Sequence, residues 1–239
     1  MIIFPAIDIQ NGQCVRLRQG EASEATVYSA SPAAMALKWE MEGARYLHVV
    51  DLDGAFAGSA VNRAAVEAVC RAAAIPVELG GGIRTEADIQ ANFDLGVRRV
   101  ILGSAAVERP DWAAEMAAKY GADRVAVSID AKGNLAASHG WTDSSTKEVL
   151  PFARALVKSG VSVIIYTDIS RDGMLTGPNF DMLEKLNAVP GISLIASGGM
   201  ASPEDLRRLS SMGLYGAICG KALYEKKITM EDICRIQEA

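Results

Sequence analysis

Two aspartates and two pairs of glycines hold most of the chemistry this sequence can do. Asp8 closes the apolar run IIFPAI, and Asp130 closes RVAVSI 122 residues later. Gly82 and Gly199 end two further apolar runs, and Gly103 and Gly220 end two more; each pair is 117 residues apart. Asp51 and Asp168 repeat at the same interval. Glycines at a strand's end, ahead of a helix, leave backbone N–H groups uncovered where an anion is welcome. One such loop is equally a tight strand-to-helix turn. Two copies in register predict two phosphate sites, built around Gly82 and Gly103 and around Gly199 and Gly220. Asp8 and Asp130 fall between them. Paired carboxylates facing one substrate suit general acid–base catalysis, one taking a proton and one giving it. The acid role is demanding, since an ordinary aspartic acid is protonated to only ~0.1% at pH 7. A phosphate dianion nearby and a water-poor pocket both push in the required direction.

Other residues add to this set. Thr167 ends a strand and can hydrogen-bond a substrate hydroxyl, although a β-branched residue there is also simply a good strand residue. Asp172, in the loop DISRDGMLTGPN, is a rival acid if that loop folds inward. Arg16, Arg18 and Arg84 are candidates to grip phosphate, with a solvated surface charge as the ordinary alternative. Trp141 lies in a polar loop with no packing reason to be there, which points to stacking on a heterocycle. His48 sits inside a strand and reads as a satisfied core histidine; His139 is uninformative. With no His/Cys cluster, nucleophile elbow or Walker lysine, metal hydrolysis, acyl transfer and nucleotide hydrolysis lose support.

These residues need a frame. Eight apolar runs alternate with about eight helical segments along the 239 residues, with no linker-like stretch to divide them. Such alternation demands parallel strands, because each crossover helix returns the chain to the same edge. The fold expected is α/β, a single (β/α)8 TIM barrel over residues 1–239, at close to the usual length. The repeat argues for two matched half-barrels, approximately 1–121 and 122–239, and against an open sheet. Local signals mark the helices: Ser31-Pro32 and Ser202-Pro203 as starts, and Thr85 with Asp88 as a capping box. Gln13–Leu17 reads as extended loop, the residues after Asp53 as a glycine-bearing loop to Gly58, and 145–159 as a helix.

Composition removes other classes. Half the residues are hydrophobic, enough for a core, and the net charge of −5 argues against nucleic-acid or anionic-membrane surfaces. The four scattered cysteines, with no CxxC, suggest reduced thiols in a cytoplasmic protein. MIIFPAIDI reads as a strand and not as a signal peptide, and no apolar run reaches membrane-spanning length.

The segments FPAIDIQNGQCVRL, HVVDLDGAFAG, GGGIR, VILGS, SIDAKGN, TDISRDGMLTGPN and SGGM…ICGKALYE, in this order, closely resemble the ProFAR isomerase family of histidine biosynthesis. ProFAR is phosphoribosylformimino-aminoimidazole-carboxamide ribotide. The resemblance implies an Amadori rearrangement, aminoaldose to aminoketose, on a substrate with a phosphate at each end. It implies that Asp8 takes the proton from the sugar C2′. Asp130 would assist ring opening at the ribose oxygen, with Thr167 bonding nearby. Gly82, Gly103 and Ser104 would hold one phosphate; Gly199, Gly220 and Lys221 would hold the other, although the family often has arginine where Lys221 stands. Arg16, Arg84, Trp141 and Asp172 complete the expected substrate contacts. No cofactor and no metal are implied, and no obligate protein partner. Three alternatives stay open: the related cyclase subunit of imidazole-glycerol-phosphate synthase, an isomerase that also accepts phosphoribosylanthranilate, and a non-catalytic phosphosugar-binding barrel.

Overall fold

The structure, a computed structural model, describes residues 1–18, 21–138 and 143–238. The first half of the chain runs β1 (Ile2–Gln10), β2 (Gln13–Arg18), β3 (Glu21–Ser29), α1 (Pro32–Met41), β4 (Leu47–Asp51), α2 (Leu52–Ala57), α3 (Arg63–Ala72), β5 (Val77–Gly80), α4 (Glu86–Asp94), β6 (Arg99–Leu102), α5 (Ser104–Glu108) and α6 (Pro110–Tyr120). The second runs β7 (Val125–Lys132), β8 (Leu135–Ser138), β9 (Asp143–Glu148), α7 (Val149–Lys158), β10 (Val163–Asp168), α8 (Phe180–Asn187), β11 (Ser193–Ser197), α9 (Pro203–Ser211), β12 (Gly216–Cys219), α10 (Lys221–Tyr224) and α11 (Met230–Glu238).

Eight strands close a parallel barrel in the order β1, β4, β5, β6, β7, β10, β11, β12, with β12 returning to β1. Strands covered on both faces are buried at every position, as in Arg99–Leu102 and Val163–Asp168, and are mainly apolar, with their polar residues at the strand ends. One core lies between strands and helices. A second fills the barrel itself with Phe4, Tyr46, Ile101, Ile165, Ile195 and Ile218. Burying an aliphatic side chain of that size is worth ~1.5–3 kcal/mol, so the interior is occupied by packing and chemistry is left to the barrel's mouth.

The internal repeat extends to individual hydrogen bonds. Thr85 and Ser202 each cap a helix in a capping box with Asp88 and Asp205. Asn62 Nδ2 donates to Asp51 Oδ1 at 2.7 Å, and Asn179 Nδ2 donates to Asp168 Oδ2 at 2.8 Å. Asp51 also accepts from the backbone of Gly54, Val61 and Asn62, and Asp168 from that of Ser170. The paired Asp51 and Asp168 are therefore turn-holding carboxylates. Gly103 (φ −93°, ψ −104°) and Gly220 (φ −100°, ψ −109°) share one backbone conformation.

Three local expectations are corrected. Gln13–Leu17 is not loop but most of β2, which folds back antiparallel on β1 and continues into β3. The segment 145–148 belongs to strand β9 and not to a helix; β8 supplies it with a backbone partner, pairing Leu135 with Glu148, and the helix starts only at Val149. The residues after Asp51 form the short helix α2, capped by the Asp51 side chain through Gly54 N–H. The first strand of each half is thus followed by an antiparallel hairpin.

Candidate active site

The C-terminal ends of the barrel strands open into a cavity of about 210 Å³. Asp8, Arg16, Asp130, Thr167 and Asp172 line it together with Arg84 and the first glycine set, Gly82, Gly103 and Ser104. A smaller recess is lined by Gly199, Gly220 and Lys221. Arg16 and Asp172 line both spaces, so they stand at the seam between them. Trp141, His139 and the Arg18 side chain lie outside what is described.

Backbone register explains the carboxylates' neighbours. Thr167 on β10 is paired with Asp130 on β7, setting the two side by side at the mouth. Ser128 precedes Asp130 by two residues, the period that places side chains on one face of a strand, and its Oγ donates to Asp130 Oδ1 at 2.6 Å. Ser128 was missed from sequence, although that spacing could have found it. Asp8 pairs with Val15 on β2, and this hairpin brings Arg16 back over the strand end. Arg16 Nη1 lies 2.7 Å from Asp8 Oδ2, with both side chains largely buried.

Arg16 also packs against the second glycine set: a Cβ at Gly220 would fall 2.2 Å from Nη2. Its Nε is buried and has no hydrogen-bond partner among the described residues. Burial works against the guanidinium charge, but Asp8 and then Asp172 outweigh it, and the net shift is upward. Arg84 reaches back to Gly58, where a Cβ would fall 2.5 Å from Nη1. Lys221 Nζ donates to the Gly173 carbonyl at 3.0 Å, with Glu225 at 3.6 Å.

Asp172 titrates away from its ordinary range. Burial pushes it up to about 6; Arg16 opposes this, while Asp8 and Asp130 add to it by like-charge repulsion. Nearby thiols are held protonated, since burial raises Cys219 to about 12 and Cys14 in the same direction. Among the described residues no group of three or more His, Cys, Asp or Glu side chains could hold a metal ion.

His48 is partly buried, has a hydrogen-bonding partner and lines the cavity. Its Nδ1 is 2.8 Å from Glu78 Oε1, and Arg99 Nη1 is 2.9 Å from Glu78 Oε2. Glu78 is fully buried and Arg99 nearly so, and Arg99 also donates to Tyr215 Oη and to the Asp123 carbonyl.

A closed (β/α)8 barrel with carboxylates at its mouth and two matched glycine-framed recesses defines an enzyme scaffold suited to a small anionic ligand. Comparison with known proteins makes this specific. The chain belongs to the family described as histidine biosynthesis protein, which matches residues 2–229. Three relatives are each named 1-(5-phosphoribosyl)-5-((5-phosphoribosylamino)methylideneamino) imidazole-4-carboxamide isomerase. The one from Lachnoclostridium phytofermentans is 46% identical over the full length of both chains. The Oceanobacillus iheyensis protein is 49% identical over 98% of this chain and 97% of its own. That of Alkaliphilus metalliredigens is 50% identical over 96% and 97%.

Proposed function

We propose that this chain catalyses the isomerisation of ProFAR, an Amadori rearrangement from aminoaldose to aminoketose in histidine biosynthesis. The observation that carries the reading is one mouth holding Asp8, Asp130, Thr167 and Asp172 between two glycine-framed recesses that match in backbone conformation. In this reading Gly82, Gly103 and Ser104 cradle one phosphate, with Arg84 at its edge. Gly199 and Gly220 cradle the other, with Arg16 and Lys221 as the nearby cations. The matched recesses also favour two half-barrels, approximately 1–121 and 122–239. The site of action is the cytoplasm, a reading supported by four free cysteines.

The steps follow from this placement. An acid protonates the ribose ring oxygen of the aminoaldose, and the ring opens to a Schiff base. Asp8 then removes the proton from C2′, and the resulting enolamine takes a proton at C1′ while its C2′ hydroxyl gives one up, which leaves the C2′ carbonyl of the aminoketose. Arg16, 2.7 Å from Asp8, orients its carboxylate for this task. Thr167 and Ser128 supply hydroxyls beside Asp130, and the family resemblance gives Asp130 the acid role. A second assignment has its own support: Asp172, raised to about 6, is protonated in ~10% of molecules at pH 7, about a hundred times the ordinary fraction. We therefore favour Asp172 as the proton donor at ring opening, with Asp130 orienting the ribose.

Three relatives at 46%, 49% and 50% identity that are named as isomerases weigh against the cyclase alternative. The test is conversion of purified ProFAR, followed by absorbance, with the product identified as the ketose. Turnover without ammonia supports the isomerase. Consumption of the ketose only when ammonia is present would replace it with the cyclase.

A further inference from the structure

The two recesses match in backbone but differ in side chains, and Lys221 is one of the differences. The position 117 residues before Lys221 is Ser104, which is too short to reach across its own recess. Lys221 does reach across. Its Nζ donates at 3.0 Å to the carbonyl of Gly173, the residue that follows Asp172 in the chain. The wall it holds has little regular structure. Gly173 and Gly177 have φ of +70° and +84°, and Leu175, which is not glycine, has φ +55°. A non-glycine residue in that region costs energy and persists only when its surroundings hold it there. The far end of the wall is tied to the recess through Gly177 N–H and the Gly199 carbonyl at 2.9 Å. The near end, beside Asp172, is tied by Lys221.

We infer that Lys221 is a positioning residue: it couples a phosphoryl group in the Gly199–Gly220 recess to the placement of Asp172 at the reacting centre. The inference rests on the isomerase reading and on Asp172 as proton donor. Lys221 lines the recess and carries three donor hydrogens on its amine. One holds the Gly173 carbonyl and Glu225 stands 3.6 Å away, which leaves a donor for a phosphoryl oxygen above the glycines. Bound phosphate then ties the loop to the barrel through Lys221 and sets the Asp172 carboxyl over the seam it shares with the main cavity. The side chain is 27% exposed, so methionine, of similar length, can replace it without burying a void.

The test is a double-mutant cycle in steady-state kinetics using Lys221→Met, Lys221→Arg, Asp172→Asn and Lys221→Met/Asp172→Asn. A small misplacement of a reacting group costs up to ~100-fold in rate, so Lys221→Met is expected to lower kcat roughly 10-fold or more. Lys221→Arg, which can still reach carbonyl and phosphate, is expected to restore most of that loss. In the Asp172→Asn background Lys221→Met is expected to lower kcat by less than about 2-fold, because coupled residues are not additive. A rise in KM with kcat unchanged would reduce Lys221 to a phosphate ligand and overturn the inference. So would a kcat loss that persists undiminished without Asp172. A wild type that never turns over ProFAR would instead remove the isomerase reading on which the inference stands.

Discussion

The Asp172→Asn substitution separates the cost of this carboxyl from its use. An ordinary aspartic acid titrates at 3.8, and burial pushes Asp172 up to about 6 in the fold. That gap corresponds to about 3 kcal/mol. Because the carboxyl borders an open cavity, we expect about 1–3 kcal/mol to be realised. The sign follows from linkage. Below pH ~4 the group is protonated whether the chain is folded or unfolded, and it costs nothing. As pH rises through 6 the unfolded chain has already released its proton, and the folded chain must ionise a buried group, so stability falls. Asparagine keeps the shape of the neutral acid and never ionises. Urea unfolding of wild type and variant at pH 4 and pH 8 is the assay. The variant is expected to match the wild type within about 0.5 kcal/mol at pH 4 and to exceed it by about 1–3 kcal/mol at pH 8. A variant no more stable than wild type at pH 8, or equally stabilised at both values, would refute the reasoning.

Two other substitutions test the frame beneath the site. Arg99→Met leaves Glu78 fully buried with its charge uncompensated by arginine, and urea unfolding should show a loss of about 3–5 kcal/mol. The double change Arg99→Met/Glu78→Leu should recover much of it. Gly81→Ala places a methyl group 2.1 Å from the Asp51 carbonyl oxygen at a residue with φ +102°. A loss of about 2 kcal/mol or more in thermal unfolding is expected, because both clash and backbone oppose it. An alanine variant as stable as wild type would mean that the turn holding Asp51 has a different shape.

What could be seen in the sequence was whatever depends on near neighbours. Thr85 and Ser202 cap their helices through residues three positions on, so both starts were visible as local patterns. The 117-residue interval was visible because strand-end glycines and turn-holding aspartates recur as types, without knowledge of their partners. The hairpins were not visible. Extended backbone in 145–148 is favoured because β8 pairs with it, and nothing within that segment names its partner. Arg16 could be noted as a cation, but its ion pair with Asp8 exists only because β2 folds back over β1. Asp172 was noted as a rival acid without its titration. That depends on burial and on Arg16, Asp8 and Asp130, which approach it from distant parts of the chain.

The central claim is that carboxyl groups gathered at the barrel mouth perform the isomerisation, Asp8 as the base and Asp172 as the acid, with Asp130 orienting the ribose. Its most direct test is turnover of ProFAR by wild type, Asp8→Asn and Asp130→Asn, with substrate binding measured alongside by calorimetry. Asp8→Asn is expected to lose ~100-fold or more in kcat while still binding ProFAR, as follows from removing the base. Asp130→Asn should also fall, by at least ~10-fold, through loss of ribose orientation. Wild-type turnover that survives in Asp8→Asn would contradict the account, because the proton at C2′ would then be leaving to some other group.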